Sequence, residues 1–324
     1  MGAVGTGSRI HDCESNLAVE QLTFELKHPE APFLYRLGRR VQEWGRLMRL
    51  DRPIGIWLLL WPELWALWIA GDGQPTPRIL IIFLLGTVVM RSAGCVINDF
   101  ADRNVDPYVR RTRDRPLAAR RVSPREALVL FFALAAIALL LVLQLDRFTL
   151  QLALVGAALT VSYPFLKRFF PLPQFYLGLA FGWAVPMAYA AESGEVPRVA
   201  WLLFMTAVLW ACIYDTLYAM VDRDDDLKIG VKSSAILFAD MDRLIIGIMQ
   251  AMMLFSLILV GRTMQFGNWY LAGITASAIF FLYQQWLIRN REPGRCFRAF
   301  TNNQYVGVAV FVGILLEYVY ASPG

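Results

Sequence analysis

Residues 79–106 read ILIIFLLGTVVMRSAGCVINDFADRNVD, an apolar run that passes directly into Asn98, Asp99, Asp102 and Asp106. A hydrocarbon core about 30 Å thick is crossed by roughly 20 apolar residues in a helix, so this stretch reads as a membrane span with an acidic end. The pattern recurs at 200–226, AWLLFMTAVLWACIYDTLYAMVDRDDD, where Asp215 precedes Asp222, Asp224, Asp225 and Asp226. Working outward, comparable runs fall near Ile54–Ala70, Ile79–Ile97, Ala127–Leu145, Thr149–Leu166, Phe175–Ala191, Ala200–Val221, Leu244–Val260, Trp269–Ile288 and Tyr305–Tyr320. Stretches such as Arg125 to Leu145 are apolar on every side and do not alternate, which excludes a membrane barrel and predicts an all-α protein of about nine transmembrane helices.

Composition agrees. Of the 324 residues, 57% are hydrophobic, 13% aromatic and only 18% charged, more apolar than a soluble domain tolerates. The net charge of +5 is explained by topology and not by a nucleic-acid partner, because Lys and Arg concentrate in the loops after the even-numbered runs. The opposite loops hold only Arg78, Arg147, Arg198 and Arg262. By the positive-inside rule the N-terminus and both acidic clusters are expected on the cytoplasmic side of the membrane.

Residues 1–45 are read as a cytoplasmic extension and 46–324 as the membrane domain. The extension is mixed in charge, carries no cleaved targeting pattern, and ends in an Arg-rich approach (Arg36, Arg39, Arg40, Arg46) expected to lie on the headgroups as an interfacial helix. Cys13, Cys95, Cys212 and Cys296 are too scattered for a zinc site or disulfide framework and read as reduced thiols. His11 and His28 both precede the first run, so chemistry in the membrane domain must use carboxylates, bases and metal.

Both acidic clusters contain D-R-x-x-D, at 102–106 and 222–226. At helical spacing Arg91, Asn98, Asp102 and Asp106 share one face, and Asp215, Tyr218, Asp222 and Asp226 share another. Asp224 and Asp225 point away from the stripe and fit solvated loop residues equally well. Ionisable groups such as Arg91 and Asp215 at the membrane boundary are costly unless they line a cavity and find partners. Two facing carboxylate clusters repel unless divalent cations bridge them, and oxygen ligands without His or thiolate suit Mg²⁺, which completes its shell with substrate phosphate oxygens. The two motifs, each ending an even-numbered run, suggest two four-helix halves and a ninth helix. Tyr163 and Lys167, at i and i+4, share a face near the end of the fourth run. Lys167 and Arg168, like Arg49 and Arg52, read either as membrane anchors or as cations for a diphosphate.

The patterns NDxxDxxxD (98–106), YxxxK (163–167) and DxxxD (222–226) resemble the UbiA superfamily of intramembrane prenyltransferases. The stretches at 51–67, 94–117, 163–191 and 214–238 are most similar to its bacterial branch that acts on 4-hydroxybenzoate in ubiquinone synthesis. The resemblance covers roughly residues 45–320 and implies a bundle around a cavity open sideways to lipid, with the aspartate motifs at its cytoplasmic mouth. It implies that Asp102, Asp106, Asp222 and Asp226, with Asn98, hold Mg²⁺ and that a polyprenyl diphosphate ionises there. Lys167, Arg168 and Arg52 would steady the leaving diphosphate, with Arg91, Tyr163, Asp215 and Tyr218 as further substrate-binding residues. The allylic cation would then attack the acceptor ring ortho to its hydroxyl. Membrane lipid is the expected surrounding and exit route for the apolar product. Sister acceptors (homogentisate, dihydroxynaphthoate, haem, a chlorophyllide) fit the same diphosphate chemistry. A secondary transporter fits less well, since its acids would lie at mid-membrane and not at helix ends.

Overall fold

The structure is a computed structural model that describes residues 33–108, 112–166, 172–229 and 233–321, with backbone alone at 165–166, 224–225 and 228–229. Lys167 and Arg168, both histidines and Cys13 lie outside the described residues. Two units are divided between Arg46 and Leu47 and are taken separately.

The first unit's described part is helix α1, Phe33–Leu47. Leu34, Leu37 and Val41, spaced i, i+3, i+7, form an exposed apolar strip, while Arg36, Arg39, Arg40, Glu43 and Arg46 fall on the other side. Arg46 and Glu43 pair at 3.0 Å. One basic face and one apolar face are what a helix lying in a membrane interface requires.

The second unit contains α2 (Ile54–Ala70), α3 (Pro77–Asp102), α4 (Pro124–Val142), α5 (Arg147–Leu166), α6 (Pro173–Gly182), α7 (Ala184–Ser193), α8 (Arg198–Ile229), the short α9 (Ser234–Leu237), α10 (Asp242–Thr263), α11 (Asn268–Leu287) and α12 (Pro293–Tyr320). All regular structure among the described residues is helical. Six helices (α3, α4, α8, α10, α11 and α12) are long and apolar enough to cross a membrane, and α2 is apolar but shorter. Each of the nine expected runs falls on helix, with one correction. The run Phe175–Ala191 is two helices that meet at Trp183. Pro186 accounts for the break, because it has no N–H to donate and its ring clashes with the carbonyl four residues back, that of Gly182.

α8 is the axis of the bundle. Its apolar window is 72% buried against 6% for α4, which identifies α4 as lipid-facing. Lipid tails are as apolar as leucine, so helices hold together through close packing and interhelical hydrogen bonds instead of hydrophobic burial. Both devices are present. Gln250 donates to Gln284 at 3.0 Å, Gln284 to Asn302 at 3.1 Å and Gln285 to Gln250 at 3.0 Å, tying α10, α11 and α12. Trp210 of α8 donates to Asn303 at 3.0 Å, and Thr206 of α8 bonds Ser256 of α10. The α11–α12 hairpin closes at Gly273 and Gly313, where a Cβ on Gly273 would meet the Ala309 carbonyl oxygen at 2.6 Å. Glu317 of α12 caps α11 by accepting from the Gly267 and Tyr270 amides. The three described cysteines are buried and free.

Because the obstruction is backbone, Gly273→Val must spread the hairpin. Thermal unfolding in detergent should show a loss of about 1–3 kcal/mol, whereas the same substitution at Gly86, where a Cβ meets nothing within 4 Å, should have little effect.

Candidate active site

The last turn of α3 divides its polar residues between two directions. Asn98 and Asp102, one turn apart, face together, with the Asn98 amide donating to Asp102 Oδ2 at 3.2 Å. Asp99, a quarter-turn round the helix, points into the protein and is only 2% exposed. A carboxylate so buried needs cationic partners. Arg49 supplies one, donating to both oxygens at 3.0 and 2.8 Å. Arg115 supplies the other at 3.0 Å, and the same guanidinium nitrogen donates to Asp106 at 3.0 Å. Arg49 sits in the left-handed backbone region with φ 60°, a conformation that costs an L-residue about 1–2 kcal/mol and is offset by the paired hydrogen bonds.

Asp106 therefore does not continue the helical stripe. α3 ends at Asp102, a turn follows, and Asp106 opens a separate 3-10 turn, Asp106–Tyr108. Pro107 prevents the helix from continuing, because it has no N–H to donate to the Arg103 carbonyl four residues back and its ring clashes with it. The Asp106 carbonyl accepts from Thr112 at 3.0 Å, fixing the loop. Burial pushes the Asp106 carboxyl above the usual range, with Arg115 opposing and Asp99 and Asp102 adding to the rise. Burial works against the charge on Arg115, but Asp99 and Asp106 outweigh it and hold the guanidinium above its ordinary value.

The second motif behaves as its spacing predicts. α8 runs uninterrupted to Ile229, so Asp215, Tyr218, Asp222 and Asp226 lie on one face. Tyr218 packs on Phe300 of α12 at 4.8 Å. Below it an aromatic column descends from Tyr214 to Trp210 (5.6 Å) and on to Trp65 (5.2 Å).

The two motifs converge on a third helix. At Tyr163 of α5 the charges of Asp102 and Arg91 from α3 and of Asp215 from α8 all act on the phenol. Arg115 in turn acts on Tyr218 across the mouth. Arg91 lies two turns below Asn98, its guanidinium 5.6 Å from the Phe181 ring centroid. It fits against α2 only because residue 55 is glycine: a Cβ there would come within 2.5 Å of its nitrogens. Among the described residues Arg91 makes no hydrogen bond or ion pair, which leaves its donors available to an anion.

Arg52 is 79% exposed at its side chain and lies 3.8 Å from its neighbour Asp51; Arg49, weighed equally with it, is the arginine that enters the cluster. Asp99 and Arg115, absent from the expected site, form its scaffold. Asp99 stands a quarter-turn off the carboxylate stripe, and Arg115 looks like one more charge in a basic loop, so only its pairing distinguishes it. The side chains of Asp224 and Asp225 lie outside those described. Among the described residues no three His, Cys, Asp or Glu side chains gather as a complete metal cage. An oxygen-only donor set of one or two carboxylates still suits Mg²⁺ when substrate phosphates fill the shell.

An all-helical bundle that carries an acidic motif at the end of each of two helices, α3 and α8, has the architecture of an intramembrane prenyltransferase. The chain belongs to the UbiA prenyltransferase family, whose profile matches residues 59–314. It is 56% identical over 283 residues to the 4-hydroxybenzoate octaprenyltransferase of Methylococcus capsulatus, covering 87% of this chain and 97% of that protein. It is 55% identical to the enzyme of the same name from Nitrosococcus oceani, covering 88% and 100%. Among solved structures, a UbiA homolog from Aeropyrum pernix K1 superposes with TM-score 0.71 at 27% identity over 81% of this chain and 97% of that one. A UbiA homolog from Archaeoglobus fulgidus bound to GPP and Mg²⁺ shares the fold, with TM-score 0.65 at 18% identity over 84% and 99%.

Removing the Asp99 carboxylate leaves two partly buried guanidiniums without their anion. Asp99→Ala should lower stability by about 3–5 kcal/mol, read as a drop in the detergent-solubilised unfolding midpoint, while Asp102→Ala should leave that midpoint nearly unchanged.

Proposed function

We propose that this protein transfers a polyprenyl group from an all-trans polyprenyl diphosphate to the ring carbon of 4-hydroxybenzoate ortho to the hydroxyl, releasing diphosphate, as a step of ubiquinone biosynthesis. The observation that carries the reading is the pair of acidic motifs at the ends of α3 and α8, with Asn98 bonded to Asp102 on the first, in a chain 53–56% identical to proteins named 4-hydroxybenzoate octaprenyltransferase.

Asp102 with Asn98, and Asp222 with Asp226 on the facing helix, are assigned to hold Mg²⁺. When bound, the ion neutralises charge on the departing diphosphate. The allylic C–O bond breaks with its electron pair going to the diphosphate, the acceptor ring forms the new C–C bond, and the ring proton is lost. Arg91, Lys167 and Arg168 are the cations assigned to the substrate anions. Guanidinium suits them because it meets phosphate or carboxylate with two parallel donors. Arg115 keeps Asp106 beside the mouth, and the allylic cation is assigned to the water-poor interior of the bundle. The reading assigns the protein to a bacterial inner membrane with the mouth and residues 1–45 on the cytoplasmic side, an orientation that the arginine-rich loops support.

The decisive assay supplies geranyl or longer diphosphate with 4-hydroxybenzoate to the protein in lipid, with and without Mg²⁺, beside homogentisate and dihydroxynaphthoate. Product is expected with 4-hydroxybenzoate and only when Mg²⁺ is present; product with another acceptor alone would assign the chain to a sister activity. Asp102→Ala and Asp222→Ala should each lower turnover by at least about a hundredfold in protein that still inserts and folds.

Gly55→Ala separates positioning from stability. Alanine favours the helix by about 1 kcal/mol, so unfolding should be unaffected or later, yet the displaced Arg91 guanidinium should reduce kcat/KM by about ten- to a hundredfold.

A further inference from the structure

Away from the carboxylate mouth, α10 opens on Asp242, a fully buried acid. Arg291, in the left-handed region at φ 55°, grips it through Nε at 3.0 and 2.9 Å and through Nη2 at 2.8 Å. That pairing already satisfies one carboxylate with one guanidinium. A second guanidinium, Arg223 of α8, reaches the same acid only at 3.5 Å. A recess of about 170 Å³ opens between them, lined by Met220, Val221, Arg223, Asp242, Arg291 and Pro293. None of the residues assigned to the reaction lines it.

The charge around this recess is unbalanced. Two guanidiniums, Arg223 and Arg291, line it with a single carboxylate, Asp242. Arg243 and Arg295, one and two residues along the chain from the lining residues Asp242 and Pro293, each have a buried guanidinium nitrogen, Nε and Nη1 respectively, with no partner among the described residues. Unpaired buried donors and surplus positive charge call for an anion with several acceptor oxygens. The rim is apolar: Met241 and Leu244, which flank Asp242, are 58% and 57% exposed. Trp286, half exposed, lies under the Arg289 and Arg295 guanidiniums at 4.9 and 5.7 Å. Exposed tryptophan and aliphatic side chains next to arginines at helix ends mark the level of the lipid headgroups.

We infer that this recess, between the ends of α8, α10 and α12, is a phosphate-binding site that takes the headgroup of an anionic phospholipid. The phosphate oxygens accept from Arg223, whose donors Asp242 leaves almost unused, and the acyl chains run down past Leu244. Since Arg223 directly follows Asp222, an occupied recess braces the helix end that carries the second carboxylate stripe.

The test is native mass spectrometry of the full-length protein, delipidated in neutral detergent and titrated with phosphatidylglycerol, with phosphatidylcholine, and with inorganic phosphate as competitor. Arg223→Gln is the informative variant because Arg291 still neutralises Asp242 and the fold is kept. Phosphatidylglycerol should bind more tightly than phosphatidylcholine, and Arg223→Gln should weaken it about fivefold, with a larger loss in Arg223→Gln/Arg295→Gln. Arg223-dependent binding of inorganic phosphate without preference for phosphatidylglycerol would keep the anion site and assign it to free phosphate. Equal retention of phosphatidylglycerol by wild type and both variants, with no Arg223-dependent phosphate binding, would overturn the inference.

Discussion

A carboxylate buried at the end of an apolar helix must be neutralised, and the arrangement of the mouth follows from how Asp99 is. Arg49 and Arg115 reach it from opposite directions along the chain, one from the approach to α2 and the other from the loop after α3. Arg115 then continues to Asp106, so two acids and two bases form one charge-balanced chain. Such a network is weak evidence for net stability, because each buried charge loses hydration. Its value is geometric: it anchors the entry of α2, the end of α3 and the acidic loop to one another, while Asn98 and Asp102 pair on the adjoining face.

The bundle beneath is held by contacts that suit a lipid surrounding. Interhelical bonds among Gln250, Gln284, Gln285 and Asn302, the Trp210–Asn303 bond and the Gly273–Gly313 contact join α8 to α10, α11 and α12. Glu63 of α2 is 1% exposed and accepts from the Thr87 hydroxyl of α3, a polar tie of the same kind between the first two helices. These ties fix the rotations of α3 and α8, the two helices that carry the acidic motifs.

The same device appears twice. Arg49 and Arg291, both with positive φ, each clamp a buried aspartate beside one of the two acidic motifs. The likeness is chemical and does not extend to position. Asp99 belongs to its motif helix, whereas Asp242 opens the helix after the second motif, and α3 stops at Asp102 while α8 continues to Ile229. The halves are therefore unequal at the mouth, the first offering a loop and the second a helical face.

Periodicity alone determined that the apolar runs between 54 and 320 are helical, where they begin and end to within a few residues, and that Asp215, Tyr218, Asp222 and Asp226 form a stripe. These are local properties, fixed by residue spacing and by the absence of water in a bilayer. Pro107 and Pro186 were legible warnings that Asp106 leaves the helix and that the fifth run breaks. Tertiary structure alone decided that Asp99 is the anchor, that Arg49 and not Arg52 meets it, and that Arg115 out of a whole basic loop links it to Asp106. The Arg49–Asp99 pair is 50 residues apart in sequence. Whether such a pair forms depends on helix rotation and loop path, and the phase of a helical pattern carries no information across the turn where the helix ends.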